Sequence, residues 1–336
     1  MYKAQKFIKI LSILLFSIFL GAALFAAKIS KAEIERLRRV EKLLKTQISQ
    51  MESEFEASAS LSKYRIEYFA TVACRNPIPV PDAQMSALLA KAQNVFLGDE
   101  HTTAESQKNT IAIMAMMRKN KAPLTLVIEW IDESYQSELD EFLAGKLSLK
   151  DLKNKIRFSK NWGFSWANYS KILTAAKRMK VPILLVERLQ KPHSLGDRDT
   201  YISGKIDSHK AQHENMRYLI VYGEYHLLGP NHLTDKCHKL GIIPDIILVG
   251  DAPDTYWKLL EKLEDPDRIS FAKLKGIVYY IKNGTPLERS FSYRKYLMKI
   301  LGWTEADFED EIHAGDIVPK SASTINFDRL HNPAKR

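Results

Sequence analysis

Two histidines stand in the same local pattern, Gly-x-x-His, at Gly98 to His101 and at Gly223 to His226. A glycine just after an apolar run lets the backbone turn sharply, and a histidine three residues on can point back over the end of that run. One such pattern is weak in a chain with 14 glycines and 9 histidines, but two copies at equivalent places weigh more. Glu129 follows Leu126-Val127-Ile128 in the same manner. Neutral imidazole with carboxylate is a ligand set for Zn²⁺, Mn²⁺ or Fe²⁺, and without a metal the same groups serve as general acid and base near neutral pH. His101, Glu129 and His226 are therefore candidate metal ligands and, together with Arg198, candidate catalytic residues. The bland alternative for each histidine is a hydrogen-bonded packing residue.

Glu129 is expected to be buried, where an unpaired carboxylate is costly. It needs a partner, which a histidine, a metal ion or Arg198 would supply. Arg198 and Asp199 are placed in a loop, where the arginine can clamp an anion and the aspartate can orient a histidine. An ordinary loop ion pair accounts for them equally well. His232 either lines the same crevice or begins the next helix. Trp162, Trp166 and Tyr169 either floor a pocket for a flat ligand or, the better reading at that spacing, pack in the core.

The elements that must position these residues follow from periodicity. Short apolar runs occur at Val95 to Leu97, Leu124 to Ile128, Val181 to Val186, Tyr218 to Val221 and Ile246 to Val249. Amphipathic segments such as Gln107 to Lys119, Ser134 to Ala144 and Asn168 to Met179 lie between them. Strand-like runs spaced by helices indicate βαβ units, hence an α/β fold with a mostly parallel sheet flanked by helices. In such sheets ligands bind outside the carboxyl ends of the strands. The runs leave into Gly98-Asp99-Glu100-His101, Glu129-Trp130, Glu187-Arg188 and Gly223-Glu224-Tyr225-His226, so every exit is polar. Past Asp251 the chain reads as helical over Thr255 to Leu263, Ile269 to Ile281 and Ser290 to Leu301. The α/β domain is thus expected over 82–265, and a helical C-terminal region with a loose tail over 266–336.

The N-terminus carries a targeting signal, with Lys3, Lys6 and Lys9 ahead of an apolar stretch from Ile10 to Ala27. Residues 1–29 read as a signal peptide or membrane anchor that places the rest on the exported side, in the cell envelope. Residues 30–75 form an amphipathic helical segment. Its seam of Ile34, Leu37, Leu44, Ile48, Met51 and Phe55 suits either packing within the chain or homo-oligomerisation through helix 31–58. The prolines at 77, 79 and 81 forbid helix and mark the domain entrance. The formal charge of +10 is scattered rather than gathered in a stripe, which argues against nucleic acid and suits anionic lipid better. Cys74 and Cys237 either pair, as export allows, or are isolated thiols.

These residues together resemble the ChaN-like haem-binding uptake family, within the superfamily that includes the TIKI/TraB proteins and the erythromycin esterases. The likeness runs from Asn94 to Asp251. It rests on Gly98-Asp99-Glu100-His101 followed by Gln107, the strand ending in Glu129, and Leu139-Asp140-Glu141-Phe142-Leu143-Ala144-Gly145. Trp162 with Tyr169, Arg198-Asp199 and Gly223-Glu224-Tyr225-His226-Leu227 complete the order. The resemblance implies that both Gly-x-x-His motifs and Glu129 are site residues. It also implies haem or a divalent ion (Fe, Zn or Mn) as cofactor, with Tyr169, Tyr225 and His226 as candidate haem ligands. ChaN-like members are described as haem-binding, while TIKI-type and esterase-type relatives are hydrolases. The expected function is haem or iron binding at the envelope, and the alternative a metal-dependent esterase or protease. Unlike many ChaN-like proteins, the chain has no cysteine close behind the apolar stretch to accept a lipid.

Overall fold

The computed structural model describes residues 29–54, 59–74, 76–189, 194–262 and 270–308. The lysine-led apolar stretch, Phe55 of the helical seam and the C-terminal tail lie outside the described residues. Among the described residues no helix is long and apolar enough to cross a membrane.

Eight strands form one mixed sheet: β1 (Ile78–Val80), β2 (Asn94–Asp99), β3 (Leu124–Asp132), β4 (Ile183–Glu187), β5 (Arg217–Gly223), β6 (Ile246–Val249), β7 (Phe271–Lys275) and β8 (Val278–Ile281). Across the sheet their order is β1-β7-β8-β6-β2-β5-β3-β4. The five junctions from β8 to β4 are parallel, and β7 pairs antiparallel with both β1 and β8. The parallel portion agrees with the apolar runs, because strands covered on both faces have no polar side to display.

The helical reading of Ile269 to Ile281 is corrected. Phe271–Lys275 and Val278–Ile281 form a hairpin that extends the α/β sheet. Leu274, Ile277, Val278 and Ile281 recur at helical spacing, but Gly276 at φ +51° turns the chain between two strands. Helix α11 (Thr255–Lys262) precedes this hairpin, and helix α12 (Pro286–Leu301) follows it.

The remaining helices in chain order are α1 (Lys31–Glu52), α2 (Ala59–Val72), α3 (Asp82–Lys91), α4 (Ala104–Met117), α5 (Gln136–Leu143), α6 (Leu149–Lys155), α7 (Phe158–Asn161), α8 (Trp166–Met179), α9 (Leu195–Gln212) and α10 (Leu233–Lys239). Alternate strand residues face two separate cores. Val95, Leu97, Leu126, Ile128 and Val221 pack against Ile113 and Met114 of α4 and Ile172 and Leu173 of α8. Phe96, Val127, Ile220 and Tyr222 pack against Ile202 and Ile206 of α9, Leu233 of α10 and Tyr68 of α2.

The apolar seam of α1 is buried within the chain. Ile34, Leu37 and Leu44 join Tyr256, Trp257, Leu260 and Leu287, and Ile48 and Met51 join Leu297. Burial of this kind contributes about 1.5–3 kcal/mol for each large side chain, enough to hold α1 against α11 and α12. Cys74 and Cys237 are both free, Cys74 bonding the Leu274 carbonyl and Cys237 buried. They do not form the pair that export would allow.

Candidate functional site

Parallel register decides what meets at the carboxyl edge. On β2 and β5, Asp99 lies opposite Gly223, so the two Gly-x-x-His turns leave the sheet side by side. On β3 and β5, Ile128 lies opposite Val221, which sets Glu129 beside the end of β5. The Gly223 amide donates to Glu129 Oε2 at 2.7 Å. A Cβ on Gly223 would stand 3.2 Å from His101 Nε2 and 3.4 Å from Glu129 Oε2, so only glycine leaves the centre its full space.

Each imidazole is held through Nδ1 by its own aspartate. His101 Nδ1 lies 3.0 Å from Asp99 Oδ2, and Tyr169 donates its hydroxyl to that same oxygen at 2.6 Å. Helix α4 fixes the other oxygen, Asp99 Oδ1, through Ser106 Oγ (2.9 Å) and Gln107 Nε2 (2.7 Å). His226 Nδ1 lies 2.5 Å from Asp199 Oδ1. An aspartate on Nδ1 sets the tautomer and turns Nε2 toward the centre. There His101 Nε2 lies 3.9 Å from Glu129 Oε2, and His226 Nε2 lies 3.9 Å from Glu129 Oε1.

Arg198 closes the centre from α9. Its Nη2 donates to Glu129 Oε1 at 3.1 Å and to Glu187 Oε2 at 2.8 Å, and its Nε donates to Glu187 Oε1 at 3.3 Å. Arg198 and Asp199 sit in the first turns of that helix, not in a loop. Ser194 caps the helix by accepting from the Asp197 amide, which starts it just ahead of both residues.

Burial and charge compete throughout. Burial alone would lower the pKa of His101, but Asp99, bonded to Nδ1, and Glu129 overcome it and the pKa is raised. His226 is raised against burial in the same way, by Asp199 and then Glu129. For Glu129 burial pushes upward, but His101, His226, Arg198 and the Gly223 amide together hold the pKa below the ordinary carboxylate range. Asp99 is likewise lowered against burial, chiefly by His101.

His101, Glu129, His226 and Arg198 are therefore brought together. As a metal set, however, the first three do not qualify: among the described residues no group of three or more His, Cys, Asp and Glu side chains is arranged to hold an ion. The reason is local, since both Glu129 oxygens already face donors, Arg198 and the Gly223 amide.

The candidate haem ligands differ in access. Tyr169 is fully buried with its hydroxyl committed to Asp99. Tyr225 packs edge-on against the rings of Tyr68 and Phe69. His226 has only 7% of its side chain exposed, against 23% for His101. Trp162 and Phe164 border the His101 ring at centroid distances of 4.9 and 5.0 Å, and Phe164 stacks on Tyr296 of α12 at 4.8 Å. Trp166 packs on Phe158 and, with Trp162, lies against the core, as the packing reading expected. His232 begins α10, and its Nε2 lies 2.9 Å from Glu67 Oε2.

Beside this centre Glu224 ties the neighbouring strand end. It accepts from the Gly250 and Asp251 amides at 2.6 and 2.7 Å and from the Tyr68 hydroxyl at 2.9 Å. Glu100 next to it is pushed up to about 8, by burial first and by Glu224 and Asp251 against the opposing Arg289.

Sequence reasoning did not single out Asp99, Glu187 or Tyr64. Asp99 and Glu187 had a signal, as each is the carboxylate that ends its strand. Tyr64 had none, since it reaches Asp199 only through the docking of α2.

No curated protein matches the chain. Among solved structures it is similar to the type III effector HopBA1 (15% identity over 55% of this chain and 89% of that one, TM-score 0.40). It is also similar to ChaN of Campylobacter jejuni, solved with cofacial heme binding (15% identity, 60% and 92% covered, TM-score 0.44). A third is the C-terminal region of Pasteurella multocida toxin, described as holding a thiol-protease-like catalytic triad (11% identity, 57% and 26% covered, TM-score 0.33). A family model described as haem-binding uptake, Tiki superfamily, ChaN matches residues 85–187, which include Asp99, His101, Glu129, Tyr169 and Glu187 and stop before Arg198, Asp199 and His226. Over residues 85–187, therefore, the chain is similar to the family described as haem-binding uptake, Tiki superfamily, ChaN.

Proposed function

We propose that this chain binds haem at the His101 face of the carboxyl-edge crevice, where His101 Nε2 would hold the iron. The observation that carries the reading is that His101 is the more open of the two aspartate-held imidazoles and is flanked by Trp162 and Phe164. The residues fit the group: an imidazole whose Nδ1 is fixed by Asp99 offers Nε2 to iron, and aromatic rings suit the face of a porphyrin. Bound haem would supply an iron for which this imidazole is a suitable ligand. Asp99 would hold the ligand's tautomer, while Glu129 with Arg198 forms a polar wall beside it. A metal-dependent hydrolase on the same residues has weaker support, because the Glu129 oxygens that would bind the ion are engaged.

Placement in the cell envelope belongs to the same proposal and is supported by Lys3, Lys6, Lys9 and the apolar stretch that follows. Haem titration of the purified chain tests the binding: a saturable shift of the Soret band supports it, and a spectrum identical to free haem overturns it. Fractionation of cells making the full chain tests the placement, and recovery in the cytosolic fraction overturns it.

A further inference from the structure

We infer that Tyr64 of α2 is a positioning residue for His226, which makes the N-terminal helical segment a working part of the site. The hydroxyl of Tyr64 donates to Asp199 Oδ2 at 3.0 Å, while the other oxygen of the same carboxylate lies 2.5 Å from His226 Nδ1. Asp199 is fully buried, so its two oxygens have these two donors in place of water, and the direction of one bond constrains the other.

The phenol is itself fixed. Its ring stacks on His232 at a centroid distance of 3.8 Å and an interplanar angle of 8°, and His232 is fully buried and bonded back to Glu67 of the same helix. Four residues on, one helical turn away, Tyr68 donates to Glu224 Oε2 and to the Asp251 carbonyl, both at 2.9 Å. The helix therefore grips the turn from Gly223 to His226 at two points. Tyr64 reaches the aspartate that orients the imidazole, and Tyr68 reaches the glutamate two residues before that imidazole.

A tether or stalk would not need two buried phenol hydroxyls aimed at carboxylates of the sheet edge. Tyr64 lies outside the segment that matches the family model, as do Asp199 and His226, so this half of the site is built from residues that the match does not include. The charged and titratable groups facing His226 are Asp199 and Arg198 from α9, Glu129 from β3, Tyr222 from β5 and Tyr64 from α2. Of these, Tyr64 is the one whose replacement by phenylalanine keeps the ring and its stack on His232 while removing a single hydrogen bond. His226 belongs to the same centre through its 3.9 Å approach to Glu129, so the inference goes beyond the proposed function and does not require haem.

The test is made on the full chain without haem, so that failure of haem binding leaves it readable. The Nδ1 proton of His226, in a short bond to a buried carboxylate, should give a far-downfield proton NMR signal that is absent from His226→Gln. The inference expects this signal to shift or be lost in Tyr64→Phe and to stay in place in Tyr68→Phe, which releases Glu224 instead. Uniform 3-fluorotyrosine labelling, which acidifies the phenol without any substitution, should also move it. An unchanged signal in both Tyr64→Phe and the labelled chain overturns the inference, since a merely packing tyrosine would leave it untouched.

Discussion

His101 and His226 face opposite oxygens of one carboxylate, each Nε2 lying 3.9 Å from Glu129, and each imidazole is held from behind by a buried aspartate. The pair is not symmetric in access, since His101 is the more exposed of the two. That difference separates an accessible imidazole from an interior one.

Replacing Asp99 by asparagine keeps the shape of the side chain and removes the charge that fixes His101 Nδ1. Haem affinity should fall by roughly 10–100-fold, the usual consequence of losing a group that orients a metal-binding histidine. Titration followed in the Soret region reads this directly, and unchanged affinity counts against His101 as the donor.

Arg198 is shared by Glu129 and Glu187, which are 4% and 1% exposed. Arg198→Met should destabilise the protein by about 3–5 kcal/mol, because two buried carboxylates lose their cation. Arg198→Lys should recover little of this, since one ammonium cannot reproduce the guanidinium's three contacts. Urea denaturation compares the variants, and a loss below about 1 kcal/mol for Arg198→Met contradicts the arrangement.

The pH dependence has a definite sign. His101 and His226 are raised above their ordinary value of 6.5, so the stability they contribute is fully present below that pH and is lost as pH rises through their native values. Asp99 and Glu129 are lowered, so their contribution is present above the ordinary carboxylate range and is lost as pH falls through their depressed values. Thermal melts should show Tm decreasing as pH is raised above 6.5, with a shallower decrease in His226→Gln. Equal slopes for the two proteins contradict the assignment.

Two glycines give opposite expectations. A Cβ at Gly98 would fall 2.5 Å from Glu224 Cγ, and Glu224 cannot retreat because two amides and Tyr68 hold it. Gly98→Ala should cost about 1–3 kcal/mol. Gly204 lies inside α9 with nothing within 4 Å of its would-be Cβ, and Gly204→Ala should stabilise by about 0.5–1 kcal/mol. Chemical denaturation of the two variants tests both signs.

The central sheet was legible because strands buried on both faces are continuous apolar runs, and each run ends where its first polar residue must meet the crevice. His101 and His226 follow such exits, whereas Glu129 does not end its strand but lies inside β3, just past Ile128 where pairing with β5 stops. The hairpin over Phe271–Ile281 was misread because its apolar residues happen to recur at helical spacing, and the contrary signal was a single turn glycine, Gly276. Arg198 and Asp199 read as loop residues because the only buried apolar residues of α9, Ile202 and Ile206, lie after them amid polar neighbours and two glycines. The contact from Tyr64 to Asp199 left no local trace, since it arises from the docking of one helix on another.

The most direct measurement is a haem titration of the wild-type chain beside His101→Ala, each with and without added imidazole. The account predicts a saturable Soret shift for the wild type, its loss in His101→Ala, and its return when imidazole fills the space left by the missing ring. A Soret shift of equal size and affinity in His101→Ala without imidazole would contradict it.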